Sequence, residues 1–301
     1  SSISDCQRFE ARRYQQNTLG AVLTLKIAVP NKGSLTESAM LALKEAGYRQ
    51  RSDSRDLICI DPENQVEFYY LRPRDIALYV GSGELDGGIT GRDLLIDSGA
   101  NAKEILALDF GRSTFRFAGP ESKTFVMNDL SGKRIATAYP GLLTNYLQTK
   151  SIKAEIVSLD GAVESAIKLG VADFIADVVS TGGTLRQAGL GIFGEAILNS
   201  EAILISGKEP KSLDVLVRRL SGVVIARQYV LMDYDVETKN LQRACALTPG
   251  FESPTISSLA KDGWSAVRSM VKKSEVNKVM DELYEIGARG ILVTDIHACR
   301  L

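Results

Sequence analysis

Asp177-Val-Val-Ser-Thr-Gly-Gly-Thr184 is the stretch whose reading decides the fold. Upstream, Gly170-Val-Ala-Asp-Phe-Ile-Ala176 is apolar, β-prone and bounded by a glycine, which predicts a buried strand. Downstream, Leu185-Arg-Gln-Ala-Gly-Leu190 reads as the first turns of a helix. Strand, small-residue loop and helix together offer an anion several backbone N–H groups and a helix N-terminus. Gly182 and Gly183 carry no Cβ, so a phosphate can approach the main chain closely. Ser180, Thr181 and Thr184 add hydroxyl donors, and Asp177 has the chemistry to accept a sugar hydroxyl or hold Mg²⁺. The plainer reading is a strand-to-helix turn with Thr184 as its N-cap, but the loop is denser in donors than capping requires.

The pattern G-x-x-x-x-G-K-[ST] is absent and no lysine follows the glycines, which counts against nucleotide hydrolysis. Gly81-Ser-Gly83 lacks the third glycine of a dinucleotide fingerprint. An acid at a strand end ahead of a T-G-G-T loop instead suits a 5-phosphorylated ribose. The loop would take the 5-phosphate, and Asp177 would face the ribose hydroxyls.

Composition bounds the rest. A chain of 301 residues exceeds one typical core, so two or three domains are expected. Hydrophobic residues make up 45% and charged residues 24%, the balance of a soluble globular protein. With 36 basic and 37 acidic residues the net charge is −1, which leaves no nucleic-acid footprint. The apolar stretch Leu19–Pro30 is short and broken by Lys26, so no membrane span is expected. Residues 1–23 read as a disordered leader without the pattern of a signal peptide. Cys6, Cys59, Cys245 and Cys299 are far apart, consistent with reduced thiols and a cytoplasmic location. A single histidine, His297, excludes a multi-histidine metal site and disfavours a Ser-His-Asp triad.

In chain order, strands alternate with helices. Leu25–Val29 is a strand, followed by a loop with Lys32 and Ser34, then a helix ending at Ala46 with Gly47 as its stop. Residues 56–71 pair as strands, running into Arg72-Pro-Arg74, a cationic corner suited to pyrophosphate or simply a solvated basic turn. A helix over 75–80 precedes the glycine-rich strand and corner Glu84–Asp93, whose glycines imply close backbone approach or a hinge. Strands are expected at 106–110, 112–118, 133–139 and 154–157, with helices over 142–150 and from Asp160 to Leu169. After the central loop, Glu201–Ile205 is a strand returning to the first lobe. This alternation predicts a parallel α/β sheet in two lobes, 24–113 with 200–210 and 114–199, with the ligand in the cleft. Beyond the charged linker Lys208–Lys211 comes a helix over 213–226, and from Tyr229 the order β-α-β-β-α-β is ferredoxin-like. Residues 212–301 are therefore expected to form a separate domain.

Several of these segments, in order, resemble the ATP phosphoribosyltransferases of histidine biosynthesis in their long, single-chain form. The resemblance rests on Ala28-Val-Pro-Asn-Lys-Gly33, Leu71-Arg-Pro-Arg-Asp-Ile-Ala77, Asp86-Gly-Gly-Ile-Thr-Gly-Arg-Asp93, Ala136-Thr-Ala-Tyr-Pro140 and Leu159-Asp-Gly-Ala-Val-Glu164. Above all it rests on Gly170–Leu185, and it covers roughly 25–301. Phosphoribosyltransferases of the unrelated Rossmann-like type carry two adjacent acids before this loop, whereas here Ala176 precedes Asp177.

The resemblance implies a two-lobed α/β catalytic region similar to periplasmic binding proteins and a C-terminal ferredoxin-like, ACT-like regulatory domain. The implied reaction joins ATP to 5-phosphoribosyl 1-pyrophosphate with Mg²⁺, giving N1-(5-phosphoribosyl)-ATP and pyrophosphate. Asp177, Glu164 and Arg72 are then expected at the reacting centre, with Asp177 also the metal ligand. Ser180, Thr181, Gly182, Gly183 and Thr184 would bind the 5-phosphate. Lys32, Arg72 and Arg74 would meet the polyphosphate charges, while Asp93, Tyr139 and Glu164 would line the purine–ribose side. Tyr139 is also placed as an ordinary core aromatic would be. The resemblance further implies feedback by histidine through Asp235 and Thr255, which otherwise read as turn caps, and dimers assembling into hexamers. A cleft-type binding protein for a phosphorylated small molecule remains the alternative.

Overall fold

The structure is a computed structural model that describes residues 24–207 and 210–300. The leader 1–23 with Cys6, and Lys208 and Glu209 of the linker, lie outside the described residues. The strands in chain order are β1 Leu25–Pro30, β2 Ile58–Asp61, β3 Val66–Leu71, β4 Gly87–Gly91, β5 Lys103–Ala107, β6 Ser113–Pro120, β7 Arg134–Thr137 and β8 Glu155–Ser158. They continue with β9 Phe174–Val179, β10 Leu190–Ser200, β11 Ala202–Ser206, β12 Tyr229–Glu237, β13 Thr255–Ser258, β14 Trp264–Lys272 and β15 Arg289–Asp295. The α-helices are α1 Thr36–Glu45, α2 Pro73–Gly81, α3 Arg92–Ser98, α4 Pro140–Thr149, α5 Gly183–Gln187, α6 Asp214–Gln228, α7 Leu241–Leu247 and α8 Val276–Glu285.

Among the described residues these strands form three sheets. The first runs β2-β3-β1-β4-β11-β5, and the second β10-β6-β9-β7-β8. Both are mixed rather than parallel. β1 lies parallel to β3 and β4, but β11 runs antiparallel to β4 and β5; β7 lies parallel to β8 and β9, but β6 runs antiparallel to β9. β2 is antiparallel to β3 as its hairpin partner, and β6 and β11 are antiparallel because they carry the chain between the lobes.

β1 reads as a continuous apolar run because both faces of its sheet are covered. Ile27 and Val29 pack with Leu43, Phe68, Tyr70 and Leu204 on one face, and Ala28 packs with Ile76, Val80 and Ile205 on the other. A Cβ at Gly88 would lie 2.7 Å from Ile76 Cγ2, so the glycine-rich strand serves close approach of α2. Leu216, Leu220 and Val223 of α6, which the sequence reading grouped with 212–301, join the core of the first sheet.

Four expectations shift. The strand expected at 170–176 is β9, Phe174–Val179, because Arg116 to Asp177 and Phe115 to Val178 are in register with β6. Asp177 therefore sits within a strand rather than at its loop. The helix expected from Asp160 to Leu169 is only a 3₁₀ turn at Val163–Ser165: Ala162 has a positive φ of 49°, and bonds such as Ala166 N–H to the Val163 carbonyl close three-residue turns. The helix expected at 185–190 ends at Gln187; Gly189, at φ 71°, breaks it, and the chain then enters the long strand β10. The strand expected at 106–110 lies at 103–107, and α3 follows β4 without having been anticipated.

The third sheet has the order β13-β14-β12-β15, antiparallel throughout, as in a ferredoxin-like fold. Met232, Tyr234 and Val236 of β12 face α7 and α8 in a separate core with Val267, Val279 and Leu283. No described helix is long and apolar enough to cross a membrane.

Candidate active site

A cleft of about 940 Å³ opens between the first two sheets. The first sheet's side contributes the loop after β1, the start of α2 and the start of α3; the second contributes the ends of β7 and β9 with the segments that follow them. Lys32, Arg72, Arg74, Asp93, Tyr139 and Ser180, far apart in sequence, all line it. Ser34, read beside Lys32 in its loop, lines it too, as do Arg112, Ser113 and Asp160, which were not anticipated as site residues.

Each residue is placed by a local rule. Pro73 occupies the first turn of α2, where a missing N–H costs nothing, and this holds Arg72 and Arg74 at the helix entrance. Gly33 turns the loop after β1 at φ 89°, bringing Lys32 over the strand end. Asp93, only 7% exposed, is fixed twice by Ser200 at the end of β10: the Ser200 hydroxyl donates to Asp93 Oδ1 at 2.8 Å and accepts from Asp93 N–H at 3.1 Å. The crossing strand that carries Ser200 was invisible in sequence, so this partner was missed.

Tyr139 packs edge-on against Phe115 and lies under the Arg74 guanidinium at 4.7 Å. Its hydroxyl pKa is pushed well up, by burial first, then by the Asp93 charge, with Arg74 pulling the other way. Tyr139 therefore stays a neutral hydroxyl able to donate. It both packs in the core and lines the cleft. Arg74 donates to the Ala138 carbonyl at 2.7 Å as well, so part of its donor fork is committed to the protein.

Asp177 does not line the cleft, and neither do Glu164 and residues 181–184, yet Asp177 interacts electrostatically with Glu164, Arg74 and Asp93. Its carboxyl is held above the ordinary range, by burial first; the bond from Val178 N–H, at 2.8 Å, opposes this, Glu164 adds to it, Arg74 opposes, and Asp93 adds. Three carboxylates thus share one neighbourhood with one guanidinium.

Gly182 takes the left-handed conformation at φ 71°. The amides of Ser180, Thr181 and Gly182 donate to no backbone carbonyl among the described residues. Gly183 and Thr184 open α5, where the first amides have no intrahelical partner. Thr181 and Thr184 are exposed. The loop thus offers a row of free donors, although α5 is too short to supply much dipole.

Asp235 and Thr255 lie on the open face of the third sheet, opposite the face packed on α7 and α8. Asp235 pairs with Ala266 and Arg289, and Thr255 pairs with Arg268, so β14 separates them in adjacent rows. Arg268 is tied to Asp233 at 2.7 Å.

Residues 72–222 match the family described as HisG: ATP phosphoribosyltransferase, and 226–298 match the HisG C-terminal domain. An ATP phosphoribosyltransferase of Pseudarthrobacter chlorophenolicus is 59% identical over 283 residues, covering 92% of this chain and all of that one. One of Kocuria rhizophila is 62% identical over 280 residues with the same coverage. Among solved structures, the ATP phosphoribosyl transferase (HisG:HisZ) complex from Thermotoga maritima aligns at TM-score 0.57 and 26% identity, over 66% of this chain and 98% of that one. With its two-lobed catalytic region and its C-terminal domain, this chain belongs to the ATP phosphoribosyltransferase family, the long form of the enzyme that makes N1-(5-phosphoribosyl)-ATP in the first step of histidine biosynthesis.

Proposed function

We propose that phosphoribosyl transfer takes place in the interlobe cleft, with the 5-phosphate of phosphoribosyl pyrophosphate on the 180–184 loop. The observation that carries this is the row of unpartnered amides at Ser180–Gly182, which stands next to the carboxylate cluster of Asp177, Glu164 and Asp93. In the reaction a bond forms between adenine N1 and C1′ of the ribose as the bond from C1′ to pyrophosphate breaks. Adenine N1 already bears a lone pair, so no residue needs to activate the nucleophile. The protein's tasks are positioning and charge stabilisation. Asp177 and Glu164 receive the ribose hydroxyls and stabilise the cationic ring; Lys32, Arg72 and Arg74 draw the polyphosphate charge; Asp93, Tyr139 and Glu164 line the purine–ribose side.

Among the described residues no cluster of three or more ligating side chains is arranged to hold a metal by itself. The hard oxygen donors of Asp177 and its neighbours instead fit Mg²⁺ arriving with substrate phosphates, the usual mode for this ion. When bound there, Mg²⁺ offsets the charge of the departing pyrophosphate. Asp177 is the residue assigned to hold it.

Residues 24–113 with 200–210 and residues 114–199 are the two catalytic lobes of this reading. Although the sequence reading begins the C-terminal unit at 212, α6 packs with the first sheet. The unit from Tyr229 onward therefore senses histidine through Asp235 and Thr255 and takes part in assembly of dimers into hexamers in the cytoplasm. Its separate core and the exposed Leu292 on edge strand β15 support that role. Asp177→Asn tests the catalytic assignment. A folded variant is expected to lose at least about a hundredfold in kcat/KM for phosphoribosyl pyrophosphate, the scale of a lost charge-stabilising group. A pyrophosphate-release rate equal to the parent's would overturn it.

A further inference from the structure

α4 begins with Pro140, which has no N–H, so its first free amides are those of Gly141 and Leu142. Tyr139, at the cap position, makes no side-chain cap. The capping oxygen comes from the other lobe: Asp97 Oδ1, on the last turn of α3, accepts from Gly141 N–H at 2.8 Å and Leu142 N–H at 3.1 Å. The second oxygen of the same carboxylate, Oδ2, pairs with Arg74 Nη1 at 3.3 Å. The Asp97 side chain is 11% exposed, so its bonds to the two amides are shielded, while its Arg74 partner is 49% exposed and keeps one side in solvent. The two lobes also touch through backbone here, since a Cβ at Gly141 would collide with the Asp97 carbonyl oxygen.

One carboxylate thus joins three things. It caps the helix that presents Tyr139, it anchors the guanidinium lying over the Tyr139 ring, and it sits where α3 meets α4. Arg74 completes the link by donating to the Ala138 carbonyl, the residue just before Tyr139. Negative charge at a helix N-terminus is favourable, and a hydrogen bond between two charged groups is stronger than a neutral one.

We propose that Asp97 is a positioning residue of the transferase: it clamps the lobe bearing Tyr139 to the lobe bearing Arg74, and so sets the spacing of the purine-side wall. Asp97 does not itself line the cleft and acts through Arg74 and the entrance of α4. This rests on the assignment of Arg74 and Tyr139 to the substrate-facing wall. Loss of the clamp misplaces groups that need near-attack alignment, which lowers kcat more than it raises either KM.

A double-mutant cycle separates this from a merely structural role. Asp97→Asn keeps an oxygen for the two amides but removes the charge that holds Arg74. It should fold with a near-parental Tm and lower kcat about tenfold in the Arg74 parent, but less than about twofold in an Arg74→Ala background, the non-additivity of a shared contact. Equal fold-losses in both backgrounds, or an unchanged kcat, would overturn the proposal. Arg74→Ala alone leaving kcat and both KM values intact would instead refute the wall assignment on which it rests. Should Asp97→Asn fail to fold, Gly141→Ala attacks the same junction from the other lobe. It is expected to lower kcat per folded enzyme, and a folded Gly141→Ala with parental kcat would sink the clamp.

Discussion

Replacing Thr181 and Thr184 together by valine removes two hydroxyls from the loop while keeping its shape. Both residues are exposed, so neither hydroxyl carries a buried hydrogen bond whose loss would weaken the fold. Stability should therefore stay within about 0.5 kcal/mol of the parent, the range of ordinary surface substitutions. The cost falls on binding. A hydrogen bond to a charged group contributes about 1.5–3 kcal/mol, and the lower figure suits an exposed loop. Two such bonds make about 3 kcal/mol, or roughly a 150-fold rise in KM for phosphoribosyl pyrophosphate. The backbone amides of Ser180–Gly182 remain, so binding is weakened and not abolished. Thermal unfolding checks the first half, and initial rates of pyrophosphate release with each substrate varied check the second. KM for ATP should change much less, because the purine side proposed above is formed by other residues. A KM for phosphoribosyl pyrophosphate within twofold of the parent in the folded double variant would refute the placement of the 5-phosphate.

Further outcomes follow from the charges. Arg72→Ala should raise KM for phosphoribosyl pyrophosphate and lower kcat by about tenfold to a hundredfold, the loss of one exposed charge-assisted contact; parental kinetics would make the corner at 72–74 a surface turn. Because the Asp177 carboxyl is held above its ordinary range, its working ionised form is lost at a higher pH than usual as acidity increases. The acid limb of kcat/KM should thus begin above the normal aspartate range, and a limb lying within that range would contradict the assignment. The same shift has a sign for stability. A raised carboxyl pKa favours the fold below the unfolded value, and this contribution is lost as pH rises through the folded value. Asp177→Asn should therefore melt at or above the parent temperature near neutral pH, with the gap closing toward acid; a lower Tm at neutral pH would show that the ionised carboxylate stabilises the free enzyme. Asp235→Asn should weaken inhibition by histidine while uninhibited turnover stays near normal, as a coupling of about 1–3 kcal/mol requires. Inhibition at the same histidine concentration as the parent would put the sensor elsewhere.

Local pattern by itself determined a good deal of this molecule. The alternation of apolar strands with helices yields the α/β class, because period-2 and period-3.6 patterning depend only on neighbours in the chain. The run from Tyr229 to Asp295 reads directly as a ferredoxin-like order, and its central strands β12 and β14 alternate buried and open residues. The chemistry of Ser180–Thr184 and of Arg72-Pro73-Arg74 is equally legible, because donors, glycines and charges are properties of residue type.

Tertiary structure decided what depends on partners distant in sequence. β9 extends to Val179 because β6 is there to pair with it, and no local signal separates Phe174–Val179 from Gly170–Ala176. β10 was unreadable for the same reason: its pairing with β6 is interrupted by a register shift between Phe193 and Leu198, which blurs the alternation. Asp160–Leu169 has helical composition, but its folded form is a short 3₁₀ turn in a connection that must return to a parallel strand. The fastening of the site is tertiary throughout. Ser200 fixes Asp93 from 107 positions away, and Asp97 caps a helix 44 positions on. Such contacts are set by the docking of one sheet against another, and a carboxylate in an ordinary helical turn gives no sign in sequence of the helix it will cap.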